Sequence, residues 1–461
     1  MVVATVRAMT AVLWLRRDLR LADHPALVAA AGEGPVLPLF VRDPRLARVG
    51  GARRARLEAS LDAWRASSDG ALVVREGDPR KVVAEVAAEV GAQSVHVSGE
   101  FTPYARARDG DVARSLDQYG VPLVAGGTPY AVRPGTLRTG GGTPYRVFTP
   151  FARAWRDHPV EPPAARPDGL RWRRTVDGVD LDERLVERGR SFGPVGEVAA
   201  LERWQEFLDD GLHDYAEARD RPDLDGTSRL SVHLKHGEIH PRTLLADLRR
   251  GRRGQSDGAR SFMDEIAWRE FYADVLWHSP QSAWGDLRGE LSDMRYDSGR
   301  SVEELVDAWR EGRTGFPVVD AGMRQLLETG WMHNRVRMVT ASFLVKDLHV
   351  WWPVGARHFL DHLVDGDLAS NNHGWQWVAG TGTDASPYFR VFNPITQGKR
   401  FDPDGDYVRR WVPELRHLSG KAAHEPWRHD DGYAEGYPEP VVDHDEERRE
   451  ALDRYQEVRG R

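Results

Sequence analysis

Two patterns of apolar residues divide this chain and restrict its fold more than any other feature. Up to about residue 130, segments with helical spacing, such as Pro79–Val90, alternate with short β-branched or apolar runs. The runs are Ala11–Leu15, Val36–Val41, Ala71–Val74, Ser94–Val97 and Val121–Val124. Strands that alternate with helices predict a parallel, doubly wound sheet with helices on both faces. From about residue 197 the spacing is helical and strand signals are nearly absent.

These patterns predict a chain of three regions. Residues 9–130 should form an α/β domain, and residues 197–461 an all-helical domain that ends in a charged helix. Residues 131–196, between them, are rich in Pro, Gly and Arg and contain breakers such as Gly140-Gly141-Gly142. A segment of this length without periodicity is uncommon unless it has a role, so we expect a long, ordered surface linker.

Composition excludes several classes of protein. The chain has no cysteine, which excludes disulfides, thiolate zinc sites, iron–sulfur clusters and cysteine nucleophiles. No run of 18 apolar residues and no secretory leader stand out, so we expect a cytoplasmic protein without membrane association. The net charge is −7, so a nucleic acid would have to meet a local basic patch. Arg249-Arg250-Gly251-Arg252-Arg253, near Arg242 and Arg260, is either such a patch or a solvated loop.

A candidate phosphate site lies at Asp225–Ser231. A glycine, three hydroxyl side chains and an arginine precede a predicted helix there. Backbone N–H groups, hydroxyls and a guanidinium together suit a phosphate, although a simple helix N-cap is the alternative. No G-x-G-x-x-G follows the first strand, where Arg16–Arg20 stand instead, which argues against a nicotinamide enzyme.

One predicted helix has an unusual face. Glu265, Trp268, Arg269 and Tyr272 follow the spacing i, i+3, i+4, i+7 and therefore share one side. A core face would be apolar throughout, whereas this one mixes two charges with two aromatic rings. It suits a flat heteroaromatic ligand, or else it holds a half-buried Glu–Arg pair.

Further candidates lie later in the chain. Asp365 and Asp367 suggest a metal, but no other ligand cluster accompanies them, so they more readily accept from hydroxyls or ring N–H groups. Asn371 and Asn372 can read the edge of a heterocycle, and Asn334 offers an amide donor and acceptor. The chain has 16 tryptophans, most of them after residue 260, which indicates core packing, a ring-binding pocket or an electron relay.

Six stretches of the chain resemble the photolyase/cryptochrome family, most of all the class I cyclobutane pyrimidine dimer photolyases. They are LWLRRDLRLADHPAL (Leu13–Leu27), DGTSRLS (Asp225–Ser231), WREFY (Trp268–Tyr272), TGFPVVDAGMRQLLETGWMHNRVRMVTASFLVKDL (Thr314–Leu348), DGDLASNNHGWQW (Asp365–Trp377) and TGTDASPYFRVFNPITQGKRFDPDG (Thr381–Gly405). The resemblance implies an α/β antenna domain, a linker, and a helical domain that binds FAD and DNA.

It also implies an activity: a monomeric carbon–carbon lyase that repairs pyrimidine dimers in DNA by light-driven electron transfer from reduced FAD. A blue-light receptor of the same fold without repair activity is the alternative. A (6-4) photoproduct lyase is disfavoured, because the segment around His333 lacks the extra histidine of that branch.

The resemblance transfers roles to individual residues. FAD would contact Tyr215, Thr227, Ser228, Arg229, Leu230, Ser231, Phe262, Arg269, Asp365, Gly366, Asp367 and Asn371. DNA and the lesion would contact Arg219, Glu265, Trp268, Arg269, Tyr272, Asn334, Arg335, Arg337, Met338, Trp377 and Gln397. Glu265 would hydrogen-bond a pyrimidine carbonyl, and Asn371 would lie near flavin N5.

Two further roles follow from the same resemblance. Trp375 and Trp352 match the inner and middle members of a relay that reduces the flavin, and the outer member falls on Tyr296. Trp284 or Trp309 could replace that tyrosine. An antenna chromophore is common in the family, and Glu100, Tyr104 and Arg106 look more like a deazaflavin site than a folate site. The alternative that no antenna binds stays open.

Overall fold

The computed structural model describes residues 9–46, 50–174, 176–250, 253–383 and 389–459. The chain forms two compact units. Unit 1 comprises Met1–Leu137, Ala154–Asp210 and Ser228–Ser256; unit 2 comprises Arg138–Arg153, Gly211–Thr227 and Asp257–Arg461. These bounds differ from the expected 9–130, 131–196 and 197–461, because most of the expected linker and the three helices α7, α9 and α10 belong to the α/β unit.

The secondary structure follows the predicted order. The strands are β1 (Thr10–Leu15), β2 (Val36–Arg42), β3 (Val73–Glu76), β4 (Ala92–Val97) and β5 (Leu123–Ala125). The helices are α1 (Pro25–Glu33), α2 (Gly51–Ser67), α3 (Pro79–Val90), α4 (Pro103–Asp117), α5 (Phe148–Asp157), α6 (Glu183–Arg190), α7 (Gly196–Glu206), α8 (Tyr215–Ala218), α9 (Ser231–His236), α10 (Pro241–Arg249), α11 (Asp257–His278), α12 (Arg300–Glu311), α13 (Pro317–Thr329), α14 (Asn334–Ser342), α15 (Trp352–His362), α16 (Leu368–Ala379), α17 (Pro394–Phe401), α18 (Asp406–Trp411) and α19 (His444–Arg459). Short π-helical turns, Phe207–Gly211 and Phe343–Asp347, extend α7 and α14.

Unit 1 is built on a parallel sheet, as predicted. The described strands have the order β3-β2-β1-β4-β5, and every paired neighbour is parallel. β1 is buried along its whole length, with Val12 and Trp14 in one hydrophobic cluster and Leu13 and Leu15 in another. Because successive strand residues point to opposite faces, the two clusters cover both sides of the sheet. The central strands therefore read as continuous apolar runs.

Part of the expected linker joins the core of unit 1. Leu181 and Val186 are buried in one of the two clusters on the sheet, and the Trp172 ring packs edge-on against Trp64 at 5.7 Å. α6 lies so close to α2 that a Cβ on Gly189 would overlap the Ala55 carbonyl. Glycine at this position allows the close approach, which explains why this segment belongs to unit 1.

The described residues of unit 2 form helices joined by irregular connections, and no strand occurs among them. Its core is one cluster contributed mainly by α12 to α16 and α18. Trp309 and Trp352 are fully buried there, whereas Trp284 and Trp351 are 40% and 42% exposed. The late tryptophans therefore divide between core packing and the surface. Among the described residues, no helix combines the length and apolarity needed to cross a bilayer.

Candidate active site

The mixed face of α11 forms a tertiary ion pair. Glu265 binds Arg219, which directly follows α8, with 2.6 Å between Oε1 and Nη2. The expected Glu–Arg pair on this face therefore includes an arginine from outside α11, namely Arg219. Burial raises the pKa of Glu265, and the charge of Arg219 only partly offsets that rise. The carboxyl is therefore easier to protonate than an ordinary glutamate.

Two residues predicted to contact FAD lie beside this pair. Tyr215, at the start of α8, packs edge-on against Phe262 of α11, with ring centroids 5.7 Å apart. Both residues are buried. Burial, together with the charge of Glu265, raises the pKa of the Tyr215 phenol, so this group stays protonated. The predicted contacts on α8 and α11 thus occupy one region of unit 2.

Trp268 has an aromatic neighbour that the sequence did not identify. Phe148, at the start of α5, stacks on the indole with ring centroids 3.7 Å apart and planes 6° apart. Tyr272 contacts the same indole at 5.4 Å. One indole face is therefore covered, and a base could stack only on the other face. Phe148 lies in the segment predicted to be a linker and has no periodic signal.

The first turn of α14 gathers three of the predicted lesion contacts. The His333 ring caps this helix by accepting from the Arg335 backbone N–H at 3.2 Å. Asn334 Nδ2 and Arg335 Nη1 each lie 3.9 Å from the sulfur of Met338. The Arg335 guanidinium also binds Asp220 at 2.8 Å. An amide, a thioether and a cation thus share this turn.

Arg337 is placed differently from the expectation that it faces DNA. Its Nη2 lies 2.9 and 3.2 Å from the two carboxylate oxygens of Asp365, and its Nε donates to the Met332 carbonyl at 2.7 Å. The Asp365 side chain is only 4% exposed. Arg337 therefore compensates a nearly buried carboxylate that was itself predicted to contact FAD.

Asn371 occupies the first turns of α16. Asp367 starts this helix by accepting from the Ser370 backbone N–H at 3.1 Å. The side-chain amide of Asn371 donates to the Ala356 carbonyl at 3.0 Å and to Asn372 Oδ1 at 2.8 Å. Both amide hydrogens are thereby used, so the carbonyl oxygen of Asn371 is the atom left to accept from a ligand N–H.

The two tryptophans of the predicted relay lie on neighbouring helices of the unit 2 core. Trp375 packs edge-on against Phe359 at 4.9 Å and against Trp309 at 6.1 Å. Trp352 is fully buried, and its indole Nε1 donates to Asp286 at 2.7 Å. Trp309, which was one expected substitute for Tyr296 as the outer member of the relay, thus contacts Trp375, the inner member.

Comparisons with known proteins agree with this arrangement. A family model described as DNA photolyase matches residues 11–168, and one described as the FAD binding domain of DNA photolyase matches residues 262–457. A deoxyribodipyrimidine photo-lyase from Streptomyces griseus is 42% identical over 98% of this chain and 99% of its own length. This chain belongs to the DNA photolyase family.

Solved structures of the family have the same fold. A bacterial class III photolyase from Agrobacterium tumefaciens matches with a TM-score of 0.93 and 37% identity, covering all of both chains. A cryptochrome from Synechocystis matches with a TM-score of 0.86 and 28% identity, covering 96% of this chain and 98% of its own. Class I membership stays a prediction, because a class III photolyase is among these neighbours.

The predicted phosphate segment of this photolyase contains a unit boundary in the chain. Thr227 is the last residue of one stretch of unit 2, and Ser228 is the first residue of a stretch of unit 1. Arg229 is exposed and has a φ of +56°, and the Ser228 hydroxyl accepts from the Leu230 backbone N–H at 3.3 Å. No side chain caps α9, so the alternative of a simple N-cap does not describe this segment. Its contact with a phosphate stays a prediction.

The basic segment and the rim positions have mixed outcomes. Arg242 is buried in an ion pair with Asp23 and is not available to DNA. Gly251 and Arg252 lie outside the described residues. Gln397 was expected to face DNA or line the cavity rim, yet it is 9% exposed on α17. Trp377 is half-buried and packs against the core of unit 2.

The expected antenna residues lie in unit 1. Burial alone would raise the pKa of Glu100, but the charges of Arg108 and Arg16 outweigh it and lower the pKa to about 2. The Tyr104 hydroxyl donates to Asp43. These contacts form a charged, hydrogen-bonded cluster and leave the identity of a chromophore open.

Proposed function

We propose that this photolyase repairs cyclobutane pyrimidine dimers in DNA in the light, acting as a cytoplasmic monomer that carries FAD in the reduced form. The observation that carries the proposal is the α11 face, where an easily protonated Glu265 lies one turn from the Trp268 indole. Full-length relatives with 34–42% identity bear the name deoxyribodipyrimidine photo-lyase, which supports the same reaction here.

The residues of unit 2 fit a flavin. The free carbonyl oxygen of Asn371 can accept from a ring N–H such as that at N5 of a reduced flavin. Asp365, held by Arg337, offers carboxylate oxygens to ribityl hydroxyls or ring N–H groups, and Tyr215 and Phe262 offer aromatic surface. When bound, reduced FAD supplies the electron that opens the dimer after excitation.

Glu265 has a defined task at the lesion. In its protonated form it donates a hydrogen bond to a carbonyl oxygen of the flipped dimer and stabilises negative charge that develops there. Arg219 holds the carboxyl in place and adds positive charge on the same side. The open face of Trp268 stacks on an extruded base and excludes water, while Phe148 supports the other face.

Asn334, Arg335 and Met338 provide the second group of contacts. Arg335, about one-fifth exposed, can exchange its ion pair with Asp220 for a DNA phosphate. The Asn334 amide is exposed and can hydrogen-bond a base edge. A dimer is stacked less well than ordinary bases, so its extrusion into such a site costs less.

The decisive experiment measures dimer loss from short DNA under blue light, with a dark control. Repair in the light only is expected, whereas equal loss in both conditions would refute the proposal. A flavin-loaded protein that changes its flavin state in light without removing dimers would support the alternative, a light receptor. The Synechocystis cryptochrome neighbour is the reason to keep that alternative.

Variants of Glu265 test its role in the reaction. Glu265→Ala should reduce repair per absorbed photon, by up to about 10²-fold, while the flavin content stays unchanged. Glu265→Gln should retain part of the repair because an amide still donates a hydrogen bond. Glu303→Gln, a change at an exposed glutamate of α12, is the matched control. Full repair by Glu265→Ala would remove this residue from the lesion site.

We also propose that a second chromophore, a deazaflavin rather than a folate, binds beside Glu100 and Tyr104. The charged cluster there is supported by Arg16 and Arg108, whose guanidinium groups lie 4.5 and 5.1 Å from the Trp14 ring centroid. Reconstitution with each chromophore in turn, followed by its absorption spectrum, tests this. Uptake of folate alone, or of neither compound, would contradict it.

A further inference from the structure

A carboxylate contacts the middle tryptophan of the proposed relay. The Trp352 side chain is fully buried, and its indole Nε1 donates to Asp286 Oδ1 at 2.7 Å. An ionised carboxylate accepts a stronger hydrogen bond than a neutral oxygen does. The bond fixes the indole ring and places a negative charge beside it.

The loop that carries Asp286 is itself held in place. Gln376, which is fully buried on α16 next to Trp375, donates to the Ser282 carbonyl at 2.8 Å and accepts from the Leu287 backbone N–H at 2.9 Å. Both ends of the loop are thereby attached to the helix that carries the inner relay residue. This attachment fixes Asp286 relative to both tryptophans.

The same carboxylate acts on the proposed outer member. Tyr296 is half-buried, and burial together with the charge of Asp286 raises the pKa of its phenol. Tyr296 also lines a small cleft with Arg295, His349 and Arg454. Asp286 therefore lies within electrostatic reach of two successive members of the relay.

We infer that Asp286 is a positioning residue of the relay, whose carboxylate orients the Trp352 ring and stabilises the positive charge that the ring carries when oxidised. The inference rests on the proposed function, because it needs a bound, light-excited oxidised flavin as the oxidant. One electron leaves Trp352 to refill Trp375, and the indole keeps its N–H proton. Tyr296, which is partly exposed, then returns one electron to Trp352 and releases its phenolic proton to solvent.

The test compares variants of Asp286 in the flavin-loaded protein. Asp286→Asn keeps an acceptor oxygen but removes the charge, so the population of oxidised Trp352, followed by transient absorption, should fall about tenfold. Asp286→Glu should restore most of it, and Asp293→Asn, at an exposed acid of the same connection, should leave it unchanged. Melting temperatures identify any variant that fails to fold.

A second measurement needs no flavin. Ultraviolet titration of the flavin-free protein follows tyrosinate formation, and Tyr296→Phe identifies the contribution of this residue. Asp286→Asn should shift the Tyr296 transition to lower pH because it removes the negative charge. Asp286→Glu, which keeps the charge, should leave the transition near its original pH. An unshifted transition together with an unchanged radical population would overturn the inference.

The variant Trp352→Phe separates this inference from the proposal on which it rests. If Trp352→Phe stops flavin photoreduction while Asp286→Asn has no effect, the relay stands and the role of Asp286 is refuted. If Trp352→Phe has no effect either, the relay itself is wrong. The exposed Trp351, whose ring lies 6.4 Å from Trp352, could be oxidised in place of Tyr296. That result would still support the role of Asp286 if Asp286→Asn lowers the population of oxidised Trp352.

Discussion

Replacing Arg337 with methionine should destabilise unit 2 by about 3 kcal/mol at neutral pH. The change leaves Asp365, whose side chain is 4% exposed, without the cation that contacts both of its oxygens. Breaking a buried ion pair on one side costs about 3–5 kcal/mol, and the 25% exposure of the Arg337 side chain favours the low end. Methionine retains the apolar stem, so the loss reports the charge and its hydrogen bonds.

Removing the carboxylate as well isolates the effect of the unpaired charge. The double variant Arg337→Met with Asp365→Asn should recover most of the loss at pH 7, because no unpaired buried charge remains.

Urea unfolding of the flavin-free protein at pH 7 measures these differences. Arg335→Met is the matched control, since its partner Asp220 is 40% exposed and such surface pairs contribute about 0–1 kcal/mol. DNA binding gives an independent readout, because loss of a phosphate contact lowers the salt dependence by about one charge. If Arg337→Met lost less than about 1 kcal/mol but flattened the salt dependence, the residue would face DNA and the reasoning would fail.

Three further outcomes follow from the packing and charges of the structure. Gly355→Ala should lower the free energy of unfolding by about 1–3 kcal/mol, because the new Cβ would overlap the Trp375 ring. Gly374→Ala, at a position of α16 that faces open space, should raise it by about 1 kcal/mol. Equal effects of the two variants in urea unfolding would contradict this. Burial raises the pKa of Asp347 to about 6, so the free energy of unfolding should fall as the pH rises from about 4 to 6 and the carboxyl ionises. Asp347→Asn should reduce that fall by up to about 3 kcal/mol. Parallel curves of unfolding free energy against pH for the two proteins would refute this. Phe148→Ala should weaken binding of dimer-containing DNA by about two- to tenfold without affecting undamaged DNA, and equal losses on both in a titration would argue against its support of the lesion site.

Local rules predicted the regular elements well. α3 has the predicted bounds, Pro79–Val90, because Asp78 accepts from the Arg80 N–H before the first turn and Gly91 takes a left-handed conformation after the last. The parallel sheet is confirmed, although β3 begins two residues later than expected. These elements depend on periodicity and on residues at their own ends, which a single sequence displays directly.

Partners from distant segments were not predictable in the same way. Glu265 and Arg269 are one helical turn apart, and this spacing favoured a pair between them. Glu265 binds Arg219, a contact that the spacing does not show and that forms only because α8 packs on α11. The contact of Arg337 with Asp365 likewise joins two motifs that resemblance had assigned to different ligands. Residue types at a site can be read from sequence, but their pairing is set by tertiary packing.

The residues that orient the proposed site lie largely outside the motifs that carry the resemblance. Phe148 supports the Trp268 indole from the expected linker, Asp220 binds Arg335 from the segment after α8, and Asp286 binds Trp352 from an irregular connection. No periodic pattern pointed to them, because an orienting contact needs only one side chain at one point, either at the start of a helix, as for Phe148, or in an irregular connection. Variation among photolyases in lesion affinity and relay efficiency should therefore depend on such orienting positions as much as on the motifs themselves. Exchanging these residues while keeping the motifs intact would test that expectation, and unchanged DNA binding and photoreduction would confine both properties to the motifs.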